Sequence, residues 1–413
     1  MDLPADLLYF TSQIQNYSRN CVKLQTLNQT TLSTKGATQL RLSLPVNAIV
    51  NMKSLAMHCK FQTVGVNETT PGAGNQVYAL IPKGGIQSAM DRVSYTAGGV
   101  ALDNGFSSYN VVQTIKENNE KSINKYMTDD RVTQQSTVEP FVVGESTWGD
   151  TNVGQERELT QNNWLGFSEC HPCFLDMNLL PEVFVTMQIS SNGIVPVQYA
   201  GTALGVRTPA VANGNFTGSE CSYNLADIYF TAEVVSIGSG LYDALTERLL
   251  AERGSVDVPY RTYNNFSSDF SSAGGSIRGS VSTMSLDKMY GVFRNAAAAG
   301  AGANYDEYWR QQPPVIAADN TSFAFTNAAT NFISAGIADW SFRLNNSPYP
   351  LYNPSTMDAF NQVIMSNGRS YSKNEGGLVG SAETWKNNCW NACVQLCHDN
   401  DVSRISGVDL RSI

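Results

Sequence analysis

Apolar and polar residues alternate along several stretches of the first half of the chain. Apolar residues fall at every second position from 40 to 44, from 55 to 61 and from 183 to 189. This period of two is typical of β-strands that bury one face. Residues 225–237 add a further apolar stretch, and Gly98-Gly99 separates two short runs as in a tight hairpin. We therefore predict an antiparallel β-sandwich or barrel in this half.

The strand pattern resumes in the second half of the chain. Strands are predicted at 256–260, 276–284 and 288–294. Two long segments rich in Gly, Asn, Thr and Gln, 143–163 and 191–220, are predicted to be loops. Loops of that length usually make contacts or carry function. The chain as a whole is thus predicted to be all-β, with long loops.

One helix is predicted near the middle of the chain, at 238–254. Leu241, Leu245 and Leu249 recur at every fourth position and form an apolar stripe on one helical face. Gly254 suits the left-handed conformation that ends many helices. The central position of this helix favours a role as connector between two domains.

Three further helices are predicted outside that connector. Residues 115–131 are strongly charged, which indicates a helix with a solvated face. Residues 355–366 follow Asn353-Pro354 and stop before a glycine, which are helix boundary signals. The segment 384–398 carries cysteines at every fourth position, which predicts a helix with thiols on one face.

The length of the chain, 413 residues, indicates two domains. Single hydrophobic cores stop growing at roughly 250–300 residues. Charged residues make up 15% of the chain, below the ~25% of ordinary soluble domains. So low a charged fraction indicates that the chain is an assembly subunit, with much of its surface covered by other protein.

The charge balance argues against nucleic-acid binding. The net charge is −9, whereas non-specific binding to phosphate backbones needs a basic stripe or patch. The arm 1–36 carries Arg19, Lys23 and Lys35 against two aspartates, so it lacks a strongly basic character. We expect no specific nucleic-acid partner.

No targeting or membrane-spanning segment is predicted. The chain has no run of 18 apolar residues, and its start, MDLPADLLYF, has neither the basic nor the apolar region of a signal peptide. Folding is therefore expected in a reducing compartment. The eight cysteines are then expected to be thiols.

Candidate catalytic or metal-binding residues are few. The three histidines are His58, His171 and His398, and His58 lies on the polar side of a predicted strand, where exposure or a local hydrogen bond is expected. No G-x-S-x-G elbow or comparable motif accompanies them, so no catalytic residue is assigned. No cofactor-binding residue is assigned either, because the glycine-rich stretches lack the context of a phosphate-binding loop.

Cys170-His171-Pro172-Cys173 is the element most similar to a metal site. A C-x-x-C pair can hold zinc, but a structural site needs four ligands. Cys389, Cys393, Cys397 and His398 are the other candidates, more than 200 residues away. Zinc and a disulfide stay open as alternatives, but buried thiols are the favoured interpretation and no metal site is assigned.

Six segments follow one another in a recognisable order. They are LRLSLPVNAIVNMKSLAMHCKF (40–61), MDRVSYTAGGVALDNG (90–105), DMNLLPEVFVTMQIS (176–190), GLYDALTERLLAERGSVDVPYRTYNNF (240–266), SLDKMYGVFR (285–294) and FRLNNSPYPLYNP (342–354). In order and spacing they resemble the double jelly-roll major capsid proteins, in particular those of polinton-like viruses and virophages. None is a catalytic signature.

The resemblance implies two jelly-roll barrels standing side by side. For this chain it implies an N-terminal arm (1–36), a first jelly roll (37–237), a connecting helix (238–257) and a second jelly roll (258–413). It further implies homotrimeric, pseudo-hexagonal capsomers that tile the icosahedral shell of a double-stranded DNA virus. The expected partners are other copies of the chain and penton and minor capsid proteins, in virions assembled inside the infected host cell.

The two predicted barrels differ in length. Residues 258–413 are fewer than residues 37–237, and in the family the segment matching 406–410 is followed by further strands. A sandwich without its last strands would expose unpaired backbone groups along an edge. Either a neighbouring chain supplies the missing pairing or the sequence is an incomplete record of a longer protein. We favour the second explanation, because the other segments follow the family order closely.

Two alternatives come from other functional classes. A carbohydrate-binding β-sandwich spike or adhesin would share the strands, the long loops and the exposed aromatic residues, but would not need two barrels joined by a central helix. A β-sandwich glycosidase would need a carboxylate pair about 5–10 Å apart. Nothing in the sequence points to such a pair, and we expect no enzyme activity.

Overall fold

The structure, a computed structural model, describes part of the chain. The described residues are 18–33, 36–64, 76–81, 85–120, 141–147, 157–189, 195–200, 208–209, 222–237, 244, 247–248, 250–252, 254–255, 257–268, 274–293, 315–316, 323–324, 337–366, 390–398 and 405–411. We call the described residues from 18 to 237 the first unit and those from 274 to 411 the second unit.

The regular structure of these residues includes twenty strands, two α-helices, two short 3-10 helices (Gly85–Ala89 and Gly166–Glu169) and part of the central helix. The strands are β1 Ser18–Gln25, β2 Leu32–Ser33, β3 Gln39–Ser43, β4 Ile49–Val64, β5 Gln76–Ile81, β6 Met90–Ala97, β7 Val100–Asp103, β8 Phe141–Thr147, β9 Arg157–Gln161, β10 Phe174–Asp176, β11 Val183–Ile189, β12 Val195–Ala200, β13 Thr208–Pro209, β14 Ser222–Ser236, β15 Lys288–Gly291, β16 Val315–Ile316, β17 Phe323–Ala324, β18 Phe342–Leu344, β19 Ser347–Tyr349 and β20 Ala392–Gln395. The helices are α1 Tyr109–Glu120 and α2 Thr356–Ser366. The predicted all-β class is confirmed.

Three antiparallel sheets form the first unit. The largest has the order β1-β14-β4-β10, with β2 beside β14 and β9 beside β4. The others have the orders β3-β11-β6-β7 and β13-β12-β5-β8. Neighbours within a sheet are often distant in sequence, since β1 pairs with β14 from Ser18 opposite Ser236 onward. Such returns over a long connection are typical of Greek-key and jelly-roll sandwiches.

The core of the first unit lies between its sheets. Leu40, Leu42, Met57, Phe61 and Val185 are all fully buried and belong to one contiguous cluster drawn from two sheets. Each alternates along its strand with more exposed residues. The predicted alternations at 40–44, 55–61 and 183–189 are therefore confirmed.

The predicted glycine hairpin joins β6 to β7. Gly98 and Gly99 have φ angles of +55° and +84°, a conformation that residues with a Cβ rarely adopt. A Cβ on Gly98 would also lie 2.9 Å from the ring of Pro181. The hairpin prediction is confirmed.

Both long segments predicted as loops contain strands, so those predictions are wrong in part. Within 143–163, β8 continues to residue 147 and β9 pairs with β4, whereas 191–220 contains β12 and β13. β8 and β9 each pair with a single described strand, and edge strands often carry polar residues. Residues 18–33 of the predicted arm likewise contribute β1 and β2 to the largest sheet.

Helix α1 begins earlier and is more buried than the charge pattern of 115–131 indicated. It starts at Tyr109, and Tyr109, Val111 and Ile115 are buried. The apolar residues that fix its position precede the charged stretch, so a prediction based on charge missed them. Residues 121–131 of the prediction lie outside the described residues.

The second unit contains three short sheets and α2. β15 pairs with β20, β16 with β17 and β18 with β19. Trp390 and Cys393 are fully buried in its core, together with Ala359 and Val363 from α2. The predicted helix at 355–366 is confirmed.

A reciprocal cap fixes the start of α2. The Ser355 backbone N–H donates to Asp358 Oδ2 at 3.0 Å, and the Asp358 N–H donates to Ser355 Oγ at 3.4 Å. This exchange satisfies donors that a helix start leaves without intrahelical partners.

The helix predicted at 384–398 is wrong where the structure describes it. Residues 392–395 form β20, which pairs with β15 so that Met289 faces Val394. Trp390 and the residues after it to Val394 are all buried, so this strand lacks the alternation of a half-exposed strand. A short apolar run of this kind cannot be assigned to strand or helix by its period alone. Cys389 lies outside the described residues.

Two of the predicted strands after the central helix are also wrong. Residues 257–260 and 276–284 do not pair with any described strand, whereas the third prediction, at 288–294, contains β15. Residues 257–260 pack through their side chains on the first unit, which explains their apolar character.

The central helix is described at a few positions. Residues 244, 247–248 and 250–252 are helical and exposed, and Leu250 is 39% exposed. Gly254 has φ +73°, and its N–H donates to Leu250 O at 2.8 Å. The predicted glycine cap is confirmed. Leu241, Leu245 and Leu249 lie outside the described residues, so their stripe stays a prediction.

Candidate functional site

The residues that follow the central helix, 257–268, lie against the first unit. We call them the connecting segment. Val258, Tyr260 and Tyr263 are half-buried and pack on the core of the first unit. The His171 backbone N–H donates to Pro259 O at 2.9 Å. The connecting segment is therefore attached to the first unit although it leads into the second.

Tyr260 makes one of the two main attachments. Its hydroxyl donates to the Leu102 carbonyl oxygen, and its ring meets the edge of Phe167, with the centroids 5.2 Å apart. Burial, and then the Asp103 carboxyl nearby, raise the pKa of the Tyr260 hydroxyl, so it stays a hydrogen-bond donor at neutral pH.

Tyr263 makes the other attachment, through an ion pair on the first unit. Lys116 of α1 forms an ion pair with Glu169 Oε1. The Tyr263 hydroxyl donates to Glu169 Oε2 at 2.6 Å and accepts from Lys116 Nζ at 3.0 Å. The side chains of Lys116 and Glu169 are both less than one-fifth exposed, which strengthens charge-assisted bonds of this kind.

Replacing Tyr263 with phenylalanine is expected to loosen the connecting segment. The Tyr263→Phe change removes a hydrogen bond to a carboxylate, which contributes about 1.5–3 kcal/mol. Tyr260→Phe is the matched control, because it removes a bond to a neutral carbonyl that contributes about 0.5–1.5 kcal/mol. Denaturant unfolding should show the larger loss for Tyr263→Phe, and equal losses would mean that the ion pair does not strengthen the attachment.

A buried carboxyl holds the loop that carries Glu169. Asp103 is 8% exposed, and a Cβ on Gly166 (φ +80°) would overlap its Oδ2. Burial raises the pKa of Asp103, while hydrogen bonds from the backbone of Gly105 and Phe167 and the charge of Arg92 act in the opposite direction. Only glycine at position 166 allows this close approach.

Helix α1 also touches the second unit. Val111 and Ile115, 6% and 7% exposed, form a separate small cluster with Tyr290 and Val292. These two residues lie on and just after β15 of the second unit. The contact buries apolar surface of both units, which stabilises their association.

An ion pair joins the connecting segment to the second unit. Arg261 Nε lies 3.4 Å from Asp287 Oδ2, and the two side chains are 18% and 26% exposed. The Asp287 carbonyl oxygen accepts from the N–H groups of Leu396 and Cys397 at 2.8 and 3.1 Å. Asp287 is thereby fixed between β15 and the chain after β20. We call this contact, together with the α1 cluster and the two tyrosine attachments, the junction.

Sequence reasoning did not find the junction. Its residues are scattered over Leu102–Glu169 and 258–292, and none forms a motif. One signal is present in the sequence, the apolar residues Val258 and Tyr260 of the strand predicted at 256–260. Both pack on the core of the first unit.

The three histidines are not brought together. His171 and His398 are exposed. His58 Nδ1 lies 3.0 Å from Thr160 Oγ1 and His58 Nε2 lies 2.9 Å from Thr231 Oγ1. The predicted local hydrogen bonding of His58 is confirmed.

His58 belongs to a stack of three side chains, together with Tyr229 and Lys23. Its ring lies on Tyr229, with the centroids 4.7 Å apart, and Lys23 Nζ lies 4.0 Å from the centroid of the same tyrosine ring. Burial, and then the charge of Lys23, lower the pKa of His58 below 6.5. The stack ties β1, β14 and β4 together.

Acidification should weaken the fold at this stack. Because the pKa of His58 is lower in the folded state, the unfolded chain binds the proton first as pH falls below 6.5. The contribution of His58 is therefore complete above pH 6.5 and is lost progressively below it. Unfolding free energies of the wild type should fall more steeply below pH 6.5 than those of His58→Gln. Parallel pH profiles would contradict this expectation.

The candidate metal-binding cysteines that the structure describes are divided between the two units. Cys170 is buried and Cys173 half-buried, while Cys393 and Cys397 are buried in the second unit. Burial, and then the neighbouring Cys173, raise the pKa of Cys170 to about 12, which disfavours the thiolate needed for metal binding. Within the described ranges, no three His, Cys, Asp or Glu side chains come together in a way that could hold a metal ion.

The helices that the structure describes all fall short of the length and apolar character that crossing a bilayer requires.

Two solved structures that match most of this chain come from virus particles. The structure of the PBCV-1 virus capsid matches 96% of this chain and 82% of its own, with 9% identity and a TM-score of 0.51. The structure of the Sputnik virophage matches 92% of this chain and 77% of its own, with 11% identity and a TM-score of 0.47. No family model matches the sequence, and no curated protein matches it. The likeness to the PBCV-1 capsid confirms the predicted double jelly-roll fold.

Proposed function

We propose that this chain is a major capsid protein that forms homotrimeric, pseudo-hexagonal capsomers in the icosahedral shell of a double-stranded DNA virus. The junction is the observation that carries the proposal. It joins the two units through an apolar cluster, an ion pair and two tyrosine attachments. A subunit that keeps two sandwiches in a fixed relation can present about six similar sides when three copies assemble.

The low charge of the chain supports assembly through apolar and polar uncharged contacts. Charged residues make up 15% of the chain, and large apolar side chains such as Val100, Leu351 and Met365 are more than 60% exposed. Apolar side chains such as these leave water when another subunit covers them, which favours association. The proposed partners are other copies of the chain and penton and minor capsid proteins of the virion.

The proposal assigns no enzymatic step to the chain. Its fold is shared with a virus capsid, and the polar groups of the junction hydrogen-bond to one another. The proposed location is the virion capsid, assembled inside the infected host cell. A carbohydrate-binding spike is the rival function, and it would act as a single unit or projection.

Negative-stain imaging of the purified protein tests the proposal. Three-fold blocks with a hexagonal outline, or closed shells built from them, are the expected particles. Scattered single subunits, or elongated spikes, would contradict the proposed function.

A further inference from the structure

We propose that residues 274–282 act as an intermolecular β-strand that pairs with a strand of a second copy of this chain. The inference rests on the proposed assembly of copies and adds to it a specific contact. We call residues 274–282 the open strand.

The open strand has the sequence pattern of a strand but pairs with no strand that the structure describes. Ile277, Gly279 and Val281 alternate with Ser276, Arg278 and Ser280, which is the period of two. The chain runs without a turn or bend from 274 to 283. No hydrogen bond joins its residues 274–282 to any part of the chain that the structure describes.

The side chains of the open strand are correspondingly exposed. Every residue from 274 to 280 is exposed, and Ile277 is 44% exposed. Met284, just beyond it, is 48% exposed. A row of backbone donors and acceptors with apolar side chains beside it is what another strand recognises when it adds to an edge.

Contacts near the middle and at one end hold the open strand in place. The ring of Phe266 lies so close to Gly279 that a Cβ there would be 2.6 Å from it. Beyond the open strand, Leu410 N–H donates to Thr283 O at 2.9 Å, and Leu286 forms a bridge with Val408. A segment already fixed in this way loses less conformational entropy when it pairs.

A second copy of the chain is the partner that charge favours. Arg278 is the only charged residue of the open strand, whereas the whole chain carries a net charge of −9. The chain also offers strands to pair with, because β7 ends its sheet and leaves Val100 68% exposed. Opposite charge guides such an encounter, and backbone pairing then holds it.

Hydrogen exchange on the wild-type protein gives the first test. In the isolated chain, amides of 274–282 should exchange rapidly. In the assembled protein, every second amide should slow by about tenfold or more, because only one edge of a strand faces its partner. Equal exchange in chain and assembly would overturn the inference while leaving the capsid function intact. Protection already present in the isolated chain would also overturn it, since the partner would then be intramolecular.

Proline substitutions give the second test. Ser280→Pro and Val281→Pro each remove one backbone N–H group. Adjacent N–H groups point to opposite edges of a strand, so only one of the two faces the partner strand. One variant should therefore reduce assembly at least about tenfold more than the other. Ser280→Ala and Val281→Ala are the matched controls and should assemble normally. Melting curves of the isolated variants show whether each still folds.

Isotope mixing identifies the partner. Isotopically heavy and light chains that both carry Arg278→Lys are assembled together. The new lysine lets an amine-reactive cross-linker join position 278 to a neighbouring lysine. Cross-links between heavy and light chains are expected. Cross-links confined within one chain, or to a different protein in particles, would overturn the inference. If no oligomer forms in any condition, the capsid function fails and this inference fails with it.

Discussion

Ile115→Asp is expected to uncouple the two units and abolish assembly. Ile115 is 7% exposed and packs with Val111 of the same helix against Tyr290 and Val292 of the second unit. An aspartate there would bury a charge in an apolar contact, which costs several kcal/mol unless the contact opens. Calorimetry should show the single wild-type transition split into two, and light scattering should show no oligomer.

Two variants control for nonspecific effects of the Ile115→Asp change. Val46→Asp places the same charge at a side chain that is 55% exposed in the first unit, where the cost to folding should be within about 0.5 kcal/mol. Ile115→Val keeps the apolar contact and should cost about 0.5–1.5 kcal/mol. A wild-type melting profile and normal assembly of Ile115→Asp would mean that α1 does not hold the units together.

Trp390→Ala should produce the largest loss of stability in the second unit. Trp390 is fully buried and shares its cluster with Ala359 and Val363 of α2. The centroids of the Trp390 and Phe293 rings are 5.3 Å apart. Removing a buried tryptophan typically costs about 3–5 kcal/mol, because the cavity that is left does not close completely. The second unit is small, so such a loss should leave it unfolded at 37 °C.

The loss should be confined to the second unit. Proteolysis of Trp390→Ala should cut after residue 274 and leave the first unit intact. Leu351→Ala is the control in the same unit, since Leu351 is 88% exposed and its removal should change the unfolding free energy by less than about 0.5 kcal/mol. Equal resistance of Trp390→Ala and wild type to protease would show that this cluster does not stabilise the unit.

The strands of the first unit could be predicted because each buries one face. Leu40, Met57 and Val185 alternate with exposed residues, and alternation is visible in a single sequence. The hairpin at Gly98 and the cap at Gly254 were also predictable, since both require φ values that glycine adopts readily.

The errors occur where local pattern and tertiary contact disagree. β20 is buried on both faces, so its sequence lacks the alternation of a half-exposed strand. The four-residue spacing of Cys393 and Cys397 matches a helical period, but the residues between them form a strand. Residues 257–260 looked like a strand because their apolar side chains pack on the first unit. β9 was missed because its polar sequence at 157–161 reflects an edge position beside β4.

The junction could not be predicted, because pairwise contacts between distant residues leave no local signal. Lys116, Glu169 and Tyr263 are separated by 53 and 94 positions, yet their side chains share two hydrogen bonds and an ion pair. Each residue alone is compatible with an ordinary solvent-exposed position. Only the fold brings them together.

The mass of the purified protein in solution tests the central claim most directly. A major capsid protein of this fold should sediment as one species with three times the mass of the single chain at micromolar concentration. The mass should change little between low and high salt, because ion pairs contribute little to an interface of apolar and uncharged groups. A stable monomer at every ionic strength, with no larger species, would contradict the account.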